Sequence, residues 1–455
     1  MNKEEYLNKL VSQIRYKKAH DPIREEMEAH IEDQAEAYEM DGKSYEQALE
    51  EAVAEMGDPV LVGGELDHIH RPSTPYKLLV LCSVVGFLFL LLRIFMKYYL
   101  GDLAFSAELN VRNEIIHWIL GMLVMVAICR LEYSFIGRKC KHIIMTLSMM
   151  IVTCFLLGYR NMVNGIHMWF ELIPGIRFST IQCLLLYIPL YAAVLYTYRG
   201  AECKKILSRA VLWAVFPIFF AYNIPSIYEM VILAVSFMLI VTVAVCKGWY
   251  EVPKGRTIAI IWGTPLLSCS AVTFFIMCFT NGYKAERLKA FLFHNAGINN
   301  YIYETIDQVL THAKLWGKAP ETVLETLGNN LSVWNYFLLY LIAYFGIITA
   351  ILVIGILVGL IVWLGYLSIK QKNQMGMLIG TGCSIVFLIQ ILFYVMENLG
   401  FTLFGHNYCP FLTYGGSGTI ISYALCGIML SIMRYEKVFP EKDIEKIQAK
   451  NTVIS

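Results

Sequence analysis

The sequence predicts an all-α, polytopic membrane protein of about ten transmembrane helices, preceded by a small cytoplasmic helical domain. Three observations carry this. Of the 455 residues, 57% are hydrophobic and only 16% are charged, which is too apolar for an ordinary soluble domain. Apolar runs recur near 77–98, 114–131, 142–159, 179–198, 207–224, 226–246, 257–280, 333–369, 374–396 and 417–434. Most of them approach the ~20 residues that cross about 30 Å of hydrocarbon. Basic residues then gather in alternate loops, as membrane orientation requires.

The first 72 residues stand apart because they are highly charged. Asp21-Pro22 reads as a helix N-cap followed by proline, and Glu25 and Glu26 sit where a helix start favours negative charge. Ile23, Met27, His30, Ile31 and Ala35 follow at helical spacing. Ser44 with Gln47 reads as a capping box, and Gly57-Asp58-Pro59 as a stop. The expectation is a helical hairpin. No cleavable signal is visible, so the first membrane helix is expected to direct insertion.

Orientation follows from the loops. Arg130, Arg138, Lys139 and Lys141 flank one turn, and Arg199, Lys204, Lys205 and Arg209 the next but one. Lys247, Lys254 and Arg256 mark another, then Lys370 and Lys372, then Arg434 and Lys437. Both termini are therefore expected in the cytoplasm, with residues 435–455 as a tail. The eighth apolar run exceeds one span, so its start is expected in the interface or outside. A long loop near 281–332 faces outward in this scheme, with Ile302, Ile306, Val309 and Leu310 at helical spacing.

Net charge is +1, and no basic patch with interleaved aromatics occurs, so nothing points to nucleic acid. Twelve cysteines lie mostly inside apolar runs without ligand spacing, and read as small core residues. Four polar residues fall within spans or at their ends: Arg93, His117, Glu229 and Glu397. Such positions are often functional, although near span ends a long side chain can reach the interface. The expectation is snorkelling for Arg93 and Glu397. His117 and Glu229 are open to either reading.

The most distinctive stretch is Pro410-Phe411-Leu412-Thr413-Tyr414-Gly415-Gly416-Ser417, between the last two apolar runs. Two adjacent glycines allow a sharp turn and close backbone approach. With the apolar helix that follows, ending Ser431-Ile432-Met433-Arg434, it resembles the C-terminal signature of the SEDS family (FtsW/RodA/SpoVE). The resemblance covers roughly 78–434. It includes Asn164-Gly165-Ile166-His167-Met168-Trp169, the segment Tyr283 to Leu292 with Arg287 and Phe291, Leu315-Trp316-Gly317-Lys318, and Gly346. Residues 1–72 are similar to a permease prefix domain through Glu28-Ala29-His30-Ile31-Glu32-Asp33-Gln34 and Met56-Gly57-Asp58-Pro59. That likeness implies interaction or regulation.

The SEDS resemblance implies a peptidoglycan glycosyltransferase of the bacterial plasma membrane that polymerises lipid II, or another polyprenyl-pyrophosphate-linked glycan. It would serve division, elongation or sporulation beside a transpeptidase of the penicillin-binding class. Arg287, Lys318, Tyr414, Gly415, Gly416 and Ser417 would bind or position the substrate. The family's presumed catalytic aspartate falls, counting back from Gly346, on Asn335. The family's acidic pair becomes Ala343-Tyr344. Its Gln-Pro-Ser-Glu becomes Arg177-Phe178-Ser179-Thr180, and its Pro-Asp-Leu-Gly-Thr becomes Pro225-Ser226-Ile227-Tyr228-Glu229. No aspartate or glutamate lies between Leu327 and Tyr344, so a shifted register restores nothing.

This loss has chemical weight. A sugar hydroxyl must attack an anomeric carbon as a lipid pyrophosphate leaves. A carboxylate there would take the hydroxyl proton or hold a divalent cation on the pyrophosphate. An asparagine amide orients a hydroxyl but cannot take its proton. Asp307, Glu321, Glu325 and Glu304 are the loop carboxylates in reach of the role. Two rivals remain: a degenerate family member that binds the lipid-linked precursor or a partner, and a lipid or small-molecule transporter. Against the transporter, no repeated half or matched pair of interrupted helices is legible.

Overall fold

The computed structural model describes residues 1–100, 110–157, 169–173, 176–223, 227–279, 300–401 and 408–436. Two compact units are present. The first contains Met1–Pro75, Lys372–Gln374 and the described residues from Met433 on. The second contains Tyr76–Gln371 and Met375–Ile432.

The described part of residues 1–75 has four α-helices where the sequence suggested two: α1 (Lys3–Ser12), α2 (His20–Met40), α3 (Tyr45–Glu55) and α4 (Pro59–His70). The core is made by Tyr6, Leu7 and Leu10 of α1 against Ile23, Ile31 and Ala52. The sequence-derived caps need correction. Asp21 and Pro22 lie inside the first turn of α2, because a short 3₁₀ turn, Lys17–Ala19, feeds directly into it. Proline is tolerated there since its missing N–H would have no intrahelical partner. Ser44 holds the extended N-cap conformation, but its hydroxyl makes no capping bond. The effective caps are Asn2, which accepts from the Glu4 N–H, and Asp58, which accepts from the Val60 N–H at 2.7 Å with Pro59 first in the helix. The same Gly57-Asp58-Pro59 thus ends α3 and starts α4. Lys3 donates to Glu32 and pairs with Glu28, each at 2.8 Å. Those hydrogen bonds raise the Lys3 ammonium above its usual range, and the Lys3 contact lowers the Glu28 carboxyl.

The second unit is an all-α bundle with one small hairpin. Its first helices are α5 (Tyr76–Leu100), α6 (Val111–Arg130) and α7 (Tyr133–Leu157). Antiparallel β1 (Trp169–Ile173) and β2 (Ile176–Ser179) follow, pairing Trp169 with Ser179. Next come α8 (Thr180–Leu184), α9 (Tyr187–Tyr196), α10 (Cys203–Asn223), α11 (Ile227–Cys246) and α12 (Lys254–Phe279). Two short helices, α13 (Asn300–Thr311) and α14 (Glu321–Asn330), precede α15 (Phe337–Phe345), α16 (Ile347–Ile369), α17 (Gln374–Asn398) and α18 (Gly416–Arg434).

Among the described residues, six helices carry apolar stretches long enough to cross a membrane: α5, α6, α11, α16, α17 and α18. Long helices α7, α10 and α12 and the broken apolar pair α8–α9 coincide with the other predicted runs. The overlong eighth run is two helices. The break is at Gly346, whose φ is 97°. There the chain turns beside the 314–319 segment: Ile347 N–H donates to the Lys314 carbonyl (3.0 Å), and Ala319 N–H to Ala343 (2.8 Å).

Burial varies sharply among spans. Only 28% of the apolar window of α16 is buried, against 89% for α18. Helix α18 is admitted by small residues. A Cβ at Gly86 would lie 1.8 Å from the Tyr423 hydroxyl, and one at Gly121 would lie 2.3 Å from its ring. Tyr423 therefore fills a slot between α5 and α6, in the way small residues let membrane helices approach.

Candidate functional site

The Pro410–Ser417 turn is where most of the bundle meets. It closes on itself first. The Thr413 hydroxyl donates to the Cys409 carbonyl (2.9 Å) and accepts from the Cys409 N–H (3.0 Å). Gly415 of the glycine pair has a φ of 157° that side chains rarely adopt, and Phe411 holds a left-handed backbone at φ 63°. A bulky side chain in that region costs on the order of 1–2 kcal/mol and must be held. Two contacts hold it. The Phe411 ring packs on Phe387 and Tyr423, with centroids 6.2 and 5.1 Å away. Its carbonyl accepts a hydrogen bond from the Arg93 guanidinium.

Arg93 does not snorkel. It is 3% exposed and donates through Nε to Glu114 at 2.7 Å, itself 1% exposed. Burial of two charges is costly unless geometry and extra hydrogen bonds compensate, and the Phe411 carbonyl supplies one. Glu397, also expected near the interface, is fully buried. Neither the pairing of Arg93 with Glu114 nor its grip on Phe411 was legible in sequence. Helical spacing does place Glu114, Gly121 and Met125 on the buried face of α6.

The other anchors come from further elements. Ser179, at the end of β2, donates its N–H to the Ser417 hydroxyl (2.9 Å). Tyr228 of α11 donates to the Tyr408 carbonyl (3.3 Å). Gly416 lies against His117 of α6: a Cβ there would stand 2.5 Å from Nε2. Tyr414 packs on Trp334, with ring centroids 6.0 Å apart.

Trp334 brings its neighbour Asn335 into the site. Asn335 is half-buried in the turn before α15. That turn is fixed from α17. The Tyr394 hydroxyl accepts from Leu338 N–H (3.2 Å), and the Asn398 side-chain oxygen accepts from Leu339 N–H (3.0 Å). These bonds satisfy two N–H groups that a helix start leaves open. The structure thus brings together Tyr414, Gly415, Gly416, Ser417 and the Asn335 turn. Lys318 is elsewhere. Its ammonium stands over the rings of Tyr99 and Tyr344, 5.3 and 5.6 Å from their centroids. Tyr344 is nine residues along α15 from Asn335, about 13 Å at helical rise. Arg287 lies outside the described residues, as do most of the Asn164–Trp169 stretch and Pro225. For a divalent cation, no group of three His, Cys, Asp or Glu side chains converges among the described residues.

The fold and this turn define a class: a helical membrane protein whose C-terminal turn is held by residues of α5, α6, β2, α17 and α18. Solved structures have this fold. One, described as structural coordination of polymerization and crosslinking by a peptidoglycan synthase complex, aligns with TM-score 0.60 at 14% identity over 80% of this chain and 98% of that one. The rod shape determining protein RodA of Thermus thermophilus gives TM-score 0.51 at 15% identity, covering 80% and 97%. A mutant of that same RodA gives 0.51 at 14%, covering 80% and 98%. No curated protein sequence is a significant match. The chain belongs to the FtsW/RodA/SpoVE family of cell cycle proteins, whose model matches residues 74–438.

Proposed function

We propose that this protein polymerises a polyprenyl-pyrophosphate-linked glycan, lipid II in the first instance, as a SEDS-type peptidoglycan glycosyltransferase. The observation that carries the reading is the junction of the family's Tyr414–Ser417 turn with the Asn335 turn, through the Trp334–Tyr414 contact. In this reading Asn335 orients the acceptor hydroxyl by hydrogen bonding and Arg287 attracts the pyrophosphate, while Lys318, seated away from the Asn335 turn, is left out of the pyrophosphate site. A transpeptidase of the penicillin-binding class is the expected partner. The test is polymerisation of lipid II by the purified full chain, with and without such a partner. Glycan chains are the expected product. Binding of lipid II without polymer would favour the rival reading, a degenerate member that retains the precursor, which the absence of a carboxylate at Asn335 supports.

The reading needs the site to face outside the plasma membrane with both termini inside. Lys318 is exposed beside α15. Lys318→Cys should therefore react with an impermeant thiol reagent on intact cells. Labelling only after lysis would reverse the orientation.

Residues 1–72 take no part in the proposed chemistry. Deleting them is expected to leave membrane insertion of the remainder intact, read by fractionation and detergent extraction. Aggregation of the truncated chain alone would assign these residues a role in folding of the membrane region.

A further inference from the structure

We infer that His117, backed by Glu114, is the proton acceptor for the acceptor hydroxyl, the role that Asn335 cannot fill. The inference rests on the polymerase reading above. Three observations place the pair at the site. The His117 ring lies against Gly416, two residues from Tyr414, which in turn touches Trp334 beside Asn335. His117 and the Asn335 turn therefore flank one tripeptide of the turn, whose ends are at most ~7 Å apart. Glu114 is 1% exposed and has two distinct oxygens. Oε2 accepts from Arg93, while Oε1 has no hydrogen-bond partner among the described residues. That second oxygen faces His117 Nδ1 at 4.0 Å, and Nδ1 is likewise buried and unpartnered among the described residues. A buried polar atom with no partner is rare and costly, so two facing each other call for a function or a closing motion. The His117 side chain is 30% exposed, and that exposure lies away from Nδ1.

A carboxylate at one ring nitrogen fixes the tautomer and stabilises the imidazolium, which leaves the other nitrogen as base. The step balances without a further reactant. The acceptor O–H proton passes to His117 Nε2, and the oxygen lone pair forms the bond to the anomeric carbon. The bond from that carbon to the pyrophosphate oxygen breaks, and the polyprenyl pyrophosphate leaves with the electron pair. Arg93 of α5 is the charged group facing the pair from another element. Tyr408 before the turn and Tyr423 of α18 lie within its electrostatic reach. A carboxylate base titrates well below an imidazole, so the pH profile tells the two apart.

The experiment is lipid II polymerisation by the full chain across pH 5–9. Polymerisation by the unaltered protein is expected to rise with pH through the imidazole range. His117→Gln keeps a hydrogen-bonding side chain but cannot titrate. It should abolish that rise and slow turnover about 10²–10⁴-fold at unchanged KM for lipid II. Adding Asn335→Asp to His117→Gln should restore at least about tenfold, with the rise moved to the carboxylate range. No polymer from the unaltered protein would defeat the polymerase reading and this inference with it. Polymer with no rise near the imidazole range would overturn the inference alone, whether or not His117→Gln folds. So would a His117→Gln protein of full activity.

Discussion

Arg93→Met is expected to destabilise the protein by about 3–5 kcal/mol, the usual result of removing one partner from a buried ion pair. Methionine matches the aliphatic length of arginine, so the loss is electrostatic more than steric. Glu114 would be left enclosed with no counter-charge, and the Phe411 carbonyl would lose its donor. Two penalties follow from one substitution, because the same guanidinium serves both groups. The double variant Arg93→Met, Glu114→Gln removes the stranded charge and should recover most of the loss, as replacement of whole buried pairs generally does. Thermal unfolding in detergent, followed for both variants, measures this. An Arg93→Met protein that melts with the unaltered one would show that the pair does not hold the turn.

Gly346→Ala is the second large effect, about 2–4 kcal/mol destabilising from backbone strain and overpacking together. The φ of 97° is a conformation that a Cβ disfavours. Space is also lacking: the added carbon would stand 2.6 Å from the Leu315 carbonyl oxygen and 2.8 Å from the Trp316 Cα. Both are backbone atoms of the segment that pairs with the α15–α16 junction, so no side-chain rotation relieves the clash. Lys318 lies two residues on in that segment. Its seat between Tyr99 and Tyr344 should loosen, and the Lys318→Cys label should react faster in the Gly346→Ala background. Unfolding in detergent and the labelling rate together test the expectation. A protein unaltered in both would mean that the 314–319 segment does not depend on the break.

The spans were legible because hydrocarbon imposes one local rule, a long apolar run, which six of the described helices meet by themselves. The first unit was less legible. In α1, Tyr6, Leu7 and Leu10 sit in a polar background, and α4 begins with proline and contains two adjacent glycines, which read as breakers. Only packing among four helices makes those weak signals cohere. The candidate site was half legible. Its turn announced itself through Pro410 and the paired glycines, while its supports are contacts between residues far apart in the chain. Arg93 and Phe411 are 318 positions apart, and Ser179 and Ser417 are 238. No periodicity encodes such pairs. Arg93 read as a snorkelling side chain because, without Glu114 known to face it, the interface is the cheapest place for a cation.

The burial of α18 has a consequence for biosynthesis. Among the described helices that could span a membrane, the most enclosed is the last in chain order, so it is made after the others. Tyr423 needs the slot between Gly86 and Gly121, yet about 300 residues separate it from Gly121, some 15–60 s of translation. Throughout that interval α5 and α6 must stay far enough apart to admit a tyrosine, even though their glycines favour close contact. A nascent chain stalled before residue 416 should therefore have a collapsed or lipid-filled slot, and α5 and α6 should be open to membrane quality control until α18 arrives.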